Sequence, residues 1–588
     1  MKETVKQFKT STLFLRIIRL SGKHWPLLAG FIICIALFAV SQASETYVLK
    51  NVIDIGIVKK DMDAVFHYMT LYFGIICCNA VFVFGFILCA GLLGERSLKS
   101  LRQKMLDHIL SLSFSYFDKT SSGWLLSRIT SDASRITELL TWMFVDGIWG
   151  TMNVTAAMVF MFIINWRLAL LVLIILPLLV ISALKFKGFI IREYRKVRAL
   201  NSKITGNFSE TISGVRVIKS LCVEEKNAKS FEGVTDSMYK ASFKAGFLSA
   251  LFLPAVQLTT ALGVCIVLWA GGFQFESGFI TVGGIKAFIS YIIFMLWPIQ
   301  DLARVYANMQ RSLASAERVF TLLDSSAQIV DQEGAVSVKG IKGSIEFRNV
   351  GFSYRKDVPV LKNFRLTVNP GEMIALVGPT GGGKTTITNL IPRFYEPVKG
   401  KILIDGMDYR KITQRSLQDK IGIVLQAPHL FSGTIMENIR YGRPGATEAR
   451  ILEASKQAHA HDFIVKTARG YDSEVGEGGG MLSVGQRQLV SMARTILNDP
   501  DVIILDEATS SIDTLTEHLI QLGLKALLKG RTSFVVAHRL STIRNADRIL
   551  VIEDGSIKEE GSHEELMRRK GHYYTLYTHQ FQDELLRA

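Results

Sequence analysis

Apolar residues in the first half of the chain come in runs too long for an ordinary soluble fold. Six stretches, Pro26–Gln42, Tyr68–Leu93, Leu139–Ile164, Leu168–Leu184, Phe247–Ala270 and Ile285–Ile299, approach or exceed the roughly 20 apolar residues that a helix needs to cross a bilayer core. One such run alone would read as a buried core helix; six in one half predict spans. Between them lie two long intervals, Gly94–Glu138 and Lys185–Gly246, whose helical patterns carry charged faces. They predict spanning helices that continue well into the cytoplasm before turning back. The second half changes texture, to short strand-like runs such as Ala375–Val377 and Val502–Leu505 separated by Gly-rich turns. The pattern predicts an all-α six-helix transmembrane domain followed by an α/β domain. Residues 1–24 read as an interfacial segment, 25–324 as the membrane domain, 325–343 as a polar linker and 344–588 as the α/β domain.

Charge refines this picture. A net charge of +16 over 588 residues invites a nucleic-acid partner, but the placement of the basic residues excludes it. Lys2, Lys6, Lys9, Arg16, Arg19 and Lys23 precede the first span, Arg96, Lys99, Arg102 and Lys104 follow the second, and Lys185, Lys187, Arg192, Arg195, Lys196 and Arg198 follow the fourth. These are the flanks where cytoplasmic Lys and Arg accumulate, so both termini are expected in the cytoplasm of a multi-pass protein of the cytoplasmic membrane. The Arg-interrupted apolar stretch Leu13–Leu20 reads as a helix along the inner leaflet rather than a removed leader. Five of the six cysteines sit in apolar runs and none has metal-site spacing, so they are expected to act as small hydrophobes.

Candidate chemistry sits in the second half. After the strand-like Ala375–Val377 come Gly378, Pro379, Thr380, Gly381, Gly382, Gly383, Lys384, Thr385 and Thr386, a phosphate loop of the G-x-x-x-x-G-K-[ST] pattern. Glycines let backbone N–H groups curl around phosphates, Lys384 reaches the outer oxygens, and the Thr385 hydroxyl suits Mg²⁺. Val502–Leu505 reads as a central parallel strand. At its end Asp506 is placed to hold the Mg²⁺, and Glu507 to orient or deprotonate an attacking water. An Asp-Glu pair closing a strand is weak evidence alone. Downstream of a phosphate loop and of the Leu482–Gln488 turn it becomes strong.

With these motifs in this order, the chain resembles an ATP-binding cassette (ABC) transporter of the exporter fold, with membrane and nucleotide-binding domains fused. The resemblance implies ATP and Mg²⁺ as ligands, and a lipid bilayer and a second half-transporter as partners. It implies adenine stacking on Tyr354, a Mg²⁺ and water contact for Gln426, and a γ-phosphate contact for the catalytic His538 beside the general base Glu507. Metal ligation falls to Thr385, Gln426 and Asp506. It further implies that Ser483, Gly485, Gln486 and Asp513 serve ATP held by the opposite subunit, and that coupling helices lie near Ser127–Asp132 and Cys222–Lys229. The family's commonest signature is Leu-Ser-Gly-Gly-Gln, and Val484 replaces its first Gly here. That departure looks like the Glu-bearing half of bacterial heterodimeric multidrug-type exporters, so a different partner chain is favoured over a second copy.

Cargo is only loosely bounded by sequence. Trp142, Phe144, Trp149, Phe160, Phe294, Met295 and Trp297 suit an amphiphile-binding cavity, or equally helix packing and lipid contact. Asp146, an acid in an apolar span, faces either a cavity or the hydrated interface. The resulting expectation is ATP-driven export of a drug-like, lipid or peptide amphiphile. An exporter-fold importer of a metal-chelating molecule and an ATP-gated channel are the alternatives.

Overall fold

The computed structural model describes residues 8–355, 358–506, 513–537 and 540–580. Two compact units emerge, one of residues 1–110 and 121–325, the other of residues 111–120 and 326–588.

The first unit is helical throughout. Its long helices are Trp25–Asn51, Met62–Ser111, Trp166–Ser213, Glu224–Glu276 and Val282–Leu323, with a further run from Ser122 to Ile164 that includes two π-helical turns, Arg128–Asp132 and Leu139–Met143. Among the described residues four helices are long and apolar enough to cross a membrane; the other two carry shorter apolar stretches, Trp166–Pro177 and Val282–Met295. Met62–Ser111 has 50 residues and Glu224–Glu276 has 53. At 1.5 Å per residue each is roughly 75–80 Å long, more than twice the ~30 Å hydrocarbon core. The charged intervals are therefore largely the extensions of the spanning helices beyond the hydrocarbon core.

Polar ties fix the ends of this unit. Asn165 breaks the chain between two helices, its Oδ1 accepting from the N–H groups of Arg167 and Leu168 while Nδ2 donates to Gln274 at 2.7 Å. Asp54 accepts from Thr281 Oγ1 at 2.5 Å and from the Gly283 N–H at 2.8 Å. Toward the other end, buried Asp132 accepts from Arg318 at 2.6 Å and from Arg128 at 2.8 Å. The N-terminal helix Thr10–Ser21 buries Leu13 and Ile17, and Arg16 pairs with Asp324 at 2.6 Å over the Phe320 ring. Part of its apolar face is thus spent on protein rather than on lipid.

The second unit has two sheets. Strands β1 (Ile345–Phe352), β2 (Leu361–Val368), β4 (Lys399–Ile404) and β5 (Met407–Asp408) form an antiparallel sheet in the order β2-β1-β4-β5. The other sheet has the order β10-β9-β3-β8-β7-β6, from β3 (Met373–Val377), β6 (Ile421–Val424), β7 (Val502–Asp506), β8 (Thr532–Val536), β9 (Arg548–Glu553) and β10 (Ser556–Gly561). Its neighbours are parallel except at β10. The pleat splits β3 between two cores, Ala375 and Val377 joining one and Ile374 and Leu376 the other. Burial on both faces is why β3, β7 and β8 read as continuous apolar runs.

Two irregular segments belong to this unit. The stretch read as a linker is held by Arg393, whose fully buried guanidinium donates to Asp331 (3.1 Å), Glu396 (2.8 Å) and the carbonyls of Val330 (3.1 Å) and Ile412 (3.0 Å). Residues 111–120 form the other, with a short helix at Phe114–Phe117. Phe114 stacks on Phe394 at 5.0 Å and meets Tyr395 edge-on at 6.3 Å, while the Tyr395 hydroxyl donates to Asp118. A first coupling helix was expected near Ser127–Asp132. Arg128–Asp132 is a π-turn inside a long helix, and the segment packed with nucleotide-domain residues is residues 111–120. Phe114 supplies its aromatic contact, and Leu112 beside it is buried.

Candidate functional site

The phosphate loop is built by close approach of backbone to backbone. Val377 ends β3, and residues 378–383 turn into the helix Lys384–Leu390. At Gly378, where φ is 140°, a Cβ would collide with the carbonyl oxygen of Ile552 on β9; at Gly382 it would lie 2.6 Å from the same oxygen. Only glycine lets the loop lie this close to its neighbour. Lys384 is 8 % exposed, and its Nζ donates to the carbonyls of Gly378 at 2.7 Å and Pro379 at 2.9 Å. Burial lowers the pKa of this ammonium, and the charge of Asp506 opposes that shift.

Sheet register brings the remaining groups to one edge. Asp506 pairs with Val536 of β8, and Val536 pairs with Leu376 of β3, so carboxylate and loop leave the carboxyl ends of three adjacent parallel strands. Val424 of β6 pairs with Leu505, which puts exposed Gln426 just beyond the same edge. Thr385 is exposed, whereas Thr386 is buried with its Oγ1 3.2 Å from the Tyr354 hydroxyl. The Tyr354 ring packs edge-on against Phe352 (4.8 Å) and Tyr395 (5.1 Å), leaving the residue 40 % exposed. A planar, partly open ring beside a phosphate loop is a fitting platform for a nucleobase.

The signature turn has a local structural role as well. Ser483 caps the helix Val484–Asn498 in a reciprocal box: its Oγ accepts from the Gln486 N–H at 3.2 Å, and Gln486 Oε1 accepts from the Ser483 N–H at 3.0 Å. The Ser483 hydroxyl proton stays available to an oxygen acceptor. Gly485 is buried and Val484 is 42 % exposed. Asp513 caps the helix Thr514–Leu528, accepting from the Thr516 N–H at 2.9 Å, and that bond holds its carboxyl below the usual range. Glu507 and His538 lie outside the described residues.

In the membrane unit, a cavity of about 440 Å³ is lined by Arg135, Glu138, Trp142, Asp146, Asn308 and Arg311 among others. Trp142 and Asp146 therefore share it. Trp149 and Trp297 instead pack on each other at 6.1 Å, Phe160 packs on Tyr47 at 5.7 Å, and Met295 is buried in the helix core; the Phe144 side chain lies outside the described residues. Sequence reasoning missed Arg135 and Arg311, which sit in charged helical stretches that resemble any solvated face.

Comparison with known proteins agrees with this arrangement. Residues 28–299 match the ABC transporter transmembrane region, and residues 361–510 match the ABC transporter family's ATP-binding model. An ATP-dependent lipid A-core flippase of Syntrophus aciditrophicus is 36 % identical over 97 % of this chain and 95 % of its own length. A fatty acid ABC transporter ATP-binding/permease protein of Mycobacterium bovis is 41 % identical over 82 % of this chain and 76 % of its own. The structure of a bacterial Atm1-family ABC exporter with ATP bound superposes with a TM-score of 0.76 at 28 % identity, covering 94 % and 98 % of the two chains. The chain accordingly belongs to the ABC transporters of the exporter fold, half-transporters that couple ATP hydrolysis to transport and work as dimers in the bilayer.

Proposed function

We propose that this chain exports a lipid-like amphiphile across the cytoplasmic membrane by alternating access, with both termini in the cytoplasm. The observation that carries this reading is the end-to-end similarity to lipid A-core flippases, joined by a fatty acid transporter, relatives whose cargoes share acyl chains. The cavity holding both Arg and acidic side chains beside Trp142 supports it, since an amphiphile presents a charged head on an apolar body.

Lys384 and residues 378–386 hold the ATP phosphates, and Tyr354 stacks on the base. Thr385, Asp506 and Gln426, which leave one edge of the sheet, suit an oxygen-seeking Mg²⁺. Bound there, Mg²⁺ would neutralise charge developing on the phosphates. Glu507 takes the proton of the attacking water while His538 holds the γ-phosphate. Ser483, Gly485, Gln486 and Asp513 serve ATP bound by the partner.

In proteoliposomes, ATP is expected to drive translocation of a fluorescent acyl-chain amphiphile, and inside-out vesicles are expected to accumulate it. Depletion of preloaded amphiphile would reverse the direction, and ATP turnover unaffected by any acyl amphiphile would overturn the substrate class. Phe114→Ala removes a ring pair worth about 0.5–1.5 kcal/mol beyond its buried area. It should leave basal ATPase activity near wild type and cut the substrate-stimulated part several-fold. Unchanged stimulation would remove residues 111–120 from the coupling path.

A second reading concerns the partner. Val484 begins the signature helix with its side chain half-exposed, and we infer that it meets a different half-transporter, one lacking its own catalytic carboxylate. Purified alone, the chain should then show weak ATPase activity and no stable dimer mass. A robustly active homodimer would reject this.

A further inference from the structure

The first two spanning helices meet at a carboxyl group. Glu45, on Trp25–Asn51, accepts a hydrogen bond from the Nδ2 of Asn79 on Met62–Ser111. Asn79 is 7 % exposed, and its other amide atom, Oδ1, is buried with no hydrogen-bond partner among the described residues. Sequence reading had ended the first span at Gln42, so Glu45 drew no attention there.

One turn earlier, at Gln42, a similar contact isolates what is unusual. Asn153, 1 % exposed, donates its Nδ2 to Gln42 Oε1 at 3.3 Å and likewise leaves a buried, unpartnered Oδ1. Two facing amides hold donor and acceptor on each side, so a small rotation can close that pair. A carboxylate holds only acceptors. Asn79 Oδ1 is satisfied by Glu45 only when the second carboxyl oxygen carries a proton and donates it. The two groups then form a cyclic acid–amide pair with both hydrogen bonds made. Exchanging the Asn79 amide atoms leads to the same end, because Oδ1 would then face a carboxyl oxygen and need a proton between them.

We propose that Glu45 is a proton-binding site of the membrane unit, occupied in this conformation and closed by Asn79. The surroundings favour the neutral acid. No described cation forms an ion pair with Glu45, and Lys50, five residues on, is engaged by Asp54 at 3.1 Å. Among the described residues, titratable groups that meet the Glu45 helix from its neighbours include Tyr291, whose hydroxyl donates to the Ala43 carbonyl at 2.7 Å, and His67, which lines a groove with Ser41 and Ser44; Tyr47 is on the same helix. An ionised carboxylate among spanning helices without a counter-charge is costly, and protonation removes the cost. Proton binding and contact between the two helices are thereby linked: conformations that part Glu45 from Asn79 release the proton, and high pH favours them.

Infrared difference spectroscopy of the full-length protein in lipid, Glu45→Gln against wild type, tests this directly. Glutamine supplies both donor and acceptor and is expected to fold normally. At neutral pH the wild type should show the C=O stretch of a protonated carboxylic acid that Glu45→Gln lacks, and Asn79→Leu should shift that band to higher frequency or remove it. If Asn79→Leu fails to fold, the Glu45→Gln difference still decides. A neutral-pH spectrum with no acid band lost in Glu45→Gln would overturn the proposal, and so would a band that titrates like an exposed carboxyl. Neither readout depends on transport or on cargo identity.

Discussion

Glu507→Gln is expected to bind ATP as the wild type does and to hydrolyse it about two to four orders of magnitude more slowly, the span typical for loss of a general base. In sequence the residue follows Asp506, which ends β7 at the sheet edge shared with the phosphate loop. Glutamine keeps the size and can still hydrogen-bond the water, but it takes no proton at neutral pH. Nucleotide-bound dimers should therefore accumulate closed. Phosphate release under single-turnover conditions measures the chemical step, and nucleotide retention after rapid gel filtration measures the trap. Turnover within a few-fold of wild type would move the base to another group.

Lys384→Ala should fail earlier, at binding. Its ammonium is buried and held on two loop carbonyls, so it reaches the phosphates already desolvated. Charge-assisted hydrogen bonds of this kind contribute about 1.5–3 kcal/mol each, which corresponds to roughly ten- to hundred-fold in ATP affinity. Titration with a fluorescent ATP analogue reads the loss, and the melting temperature without nucleotide separates it from misfolding. An unchanged affinity in a folded variant would contradict the phosphate-loop assignment.

The loop around Lys384 was legible in the sequence because steric rules leave few ways to lay a loop along a strand, and the glycines at 378 and 382 record that contact. Membrane helices were legible in position from hydropathy, and their length only from the helical pattern of the charged intervals. Hydropathy ends where lipid ends, whereas the backbone hydrogen bonds of Met62–Ser111 run on through charged residues. Ser483 and Gln486 had been read as phosphate contacts alone; reciprocal capping is a second reason for the same spacing, and the sequence does not separate the two. The docking of Phe114 was not legible, since an aromatic in that interval gains meaning only from Phe394 and Tyr395, nearly three hundred residues later. Glu45 and Asn79 were missed for the same reason: each is ordinary alone.

The buried Arg393 sets a boundary of another sort, on how the polypeptide can be divided. Two of its four partners, Asp331 and the Val330 carbonyl, belong by sequence to the connector. A soluble fragment begun at the first strand, Ile345, would keep the arginine and discard both. The guanidinium would keep Glu396 and the Ile412 carbonyl but lose two charge-assisted hydrogen bonds, each worth about 1.5–3 kcal/mol, a large share of a domain's stability. A fragment begun a few residues before Gln328 carries those partners with it, so the natural start of the ATPase as a separable object lies in the connector and not at the sheet.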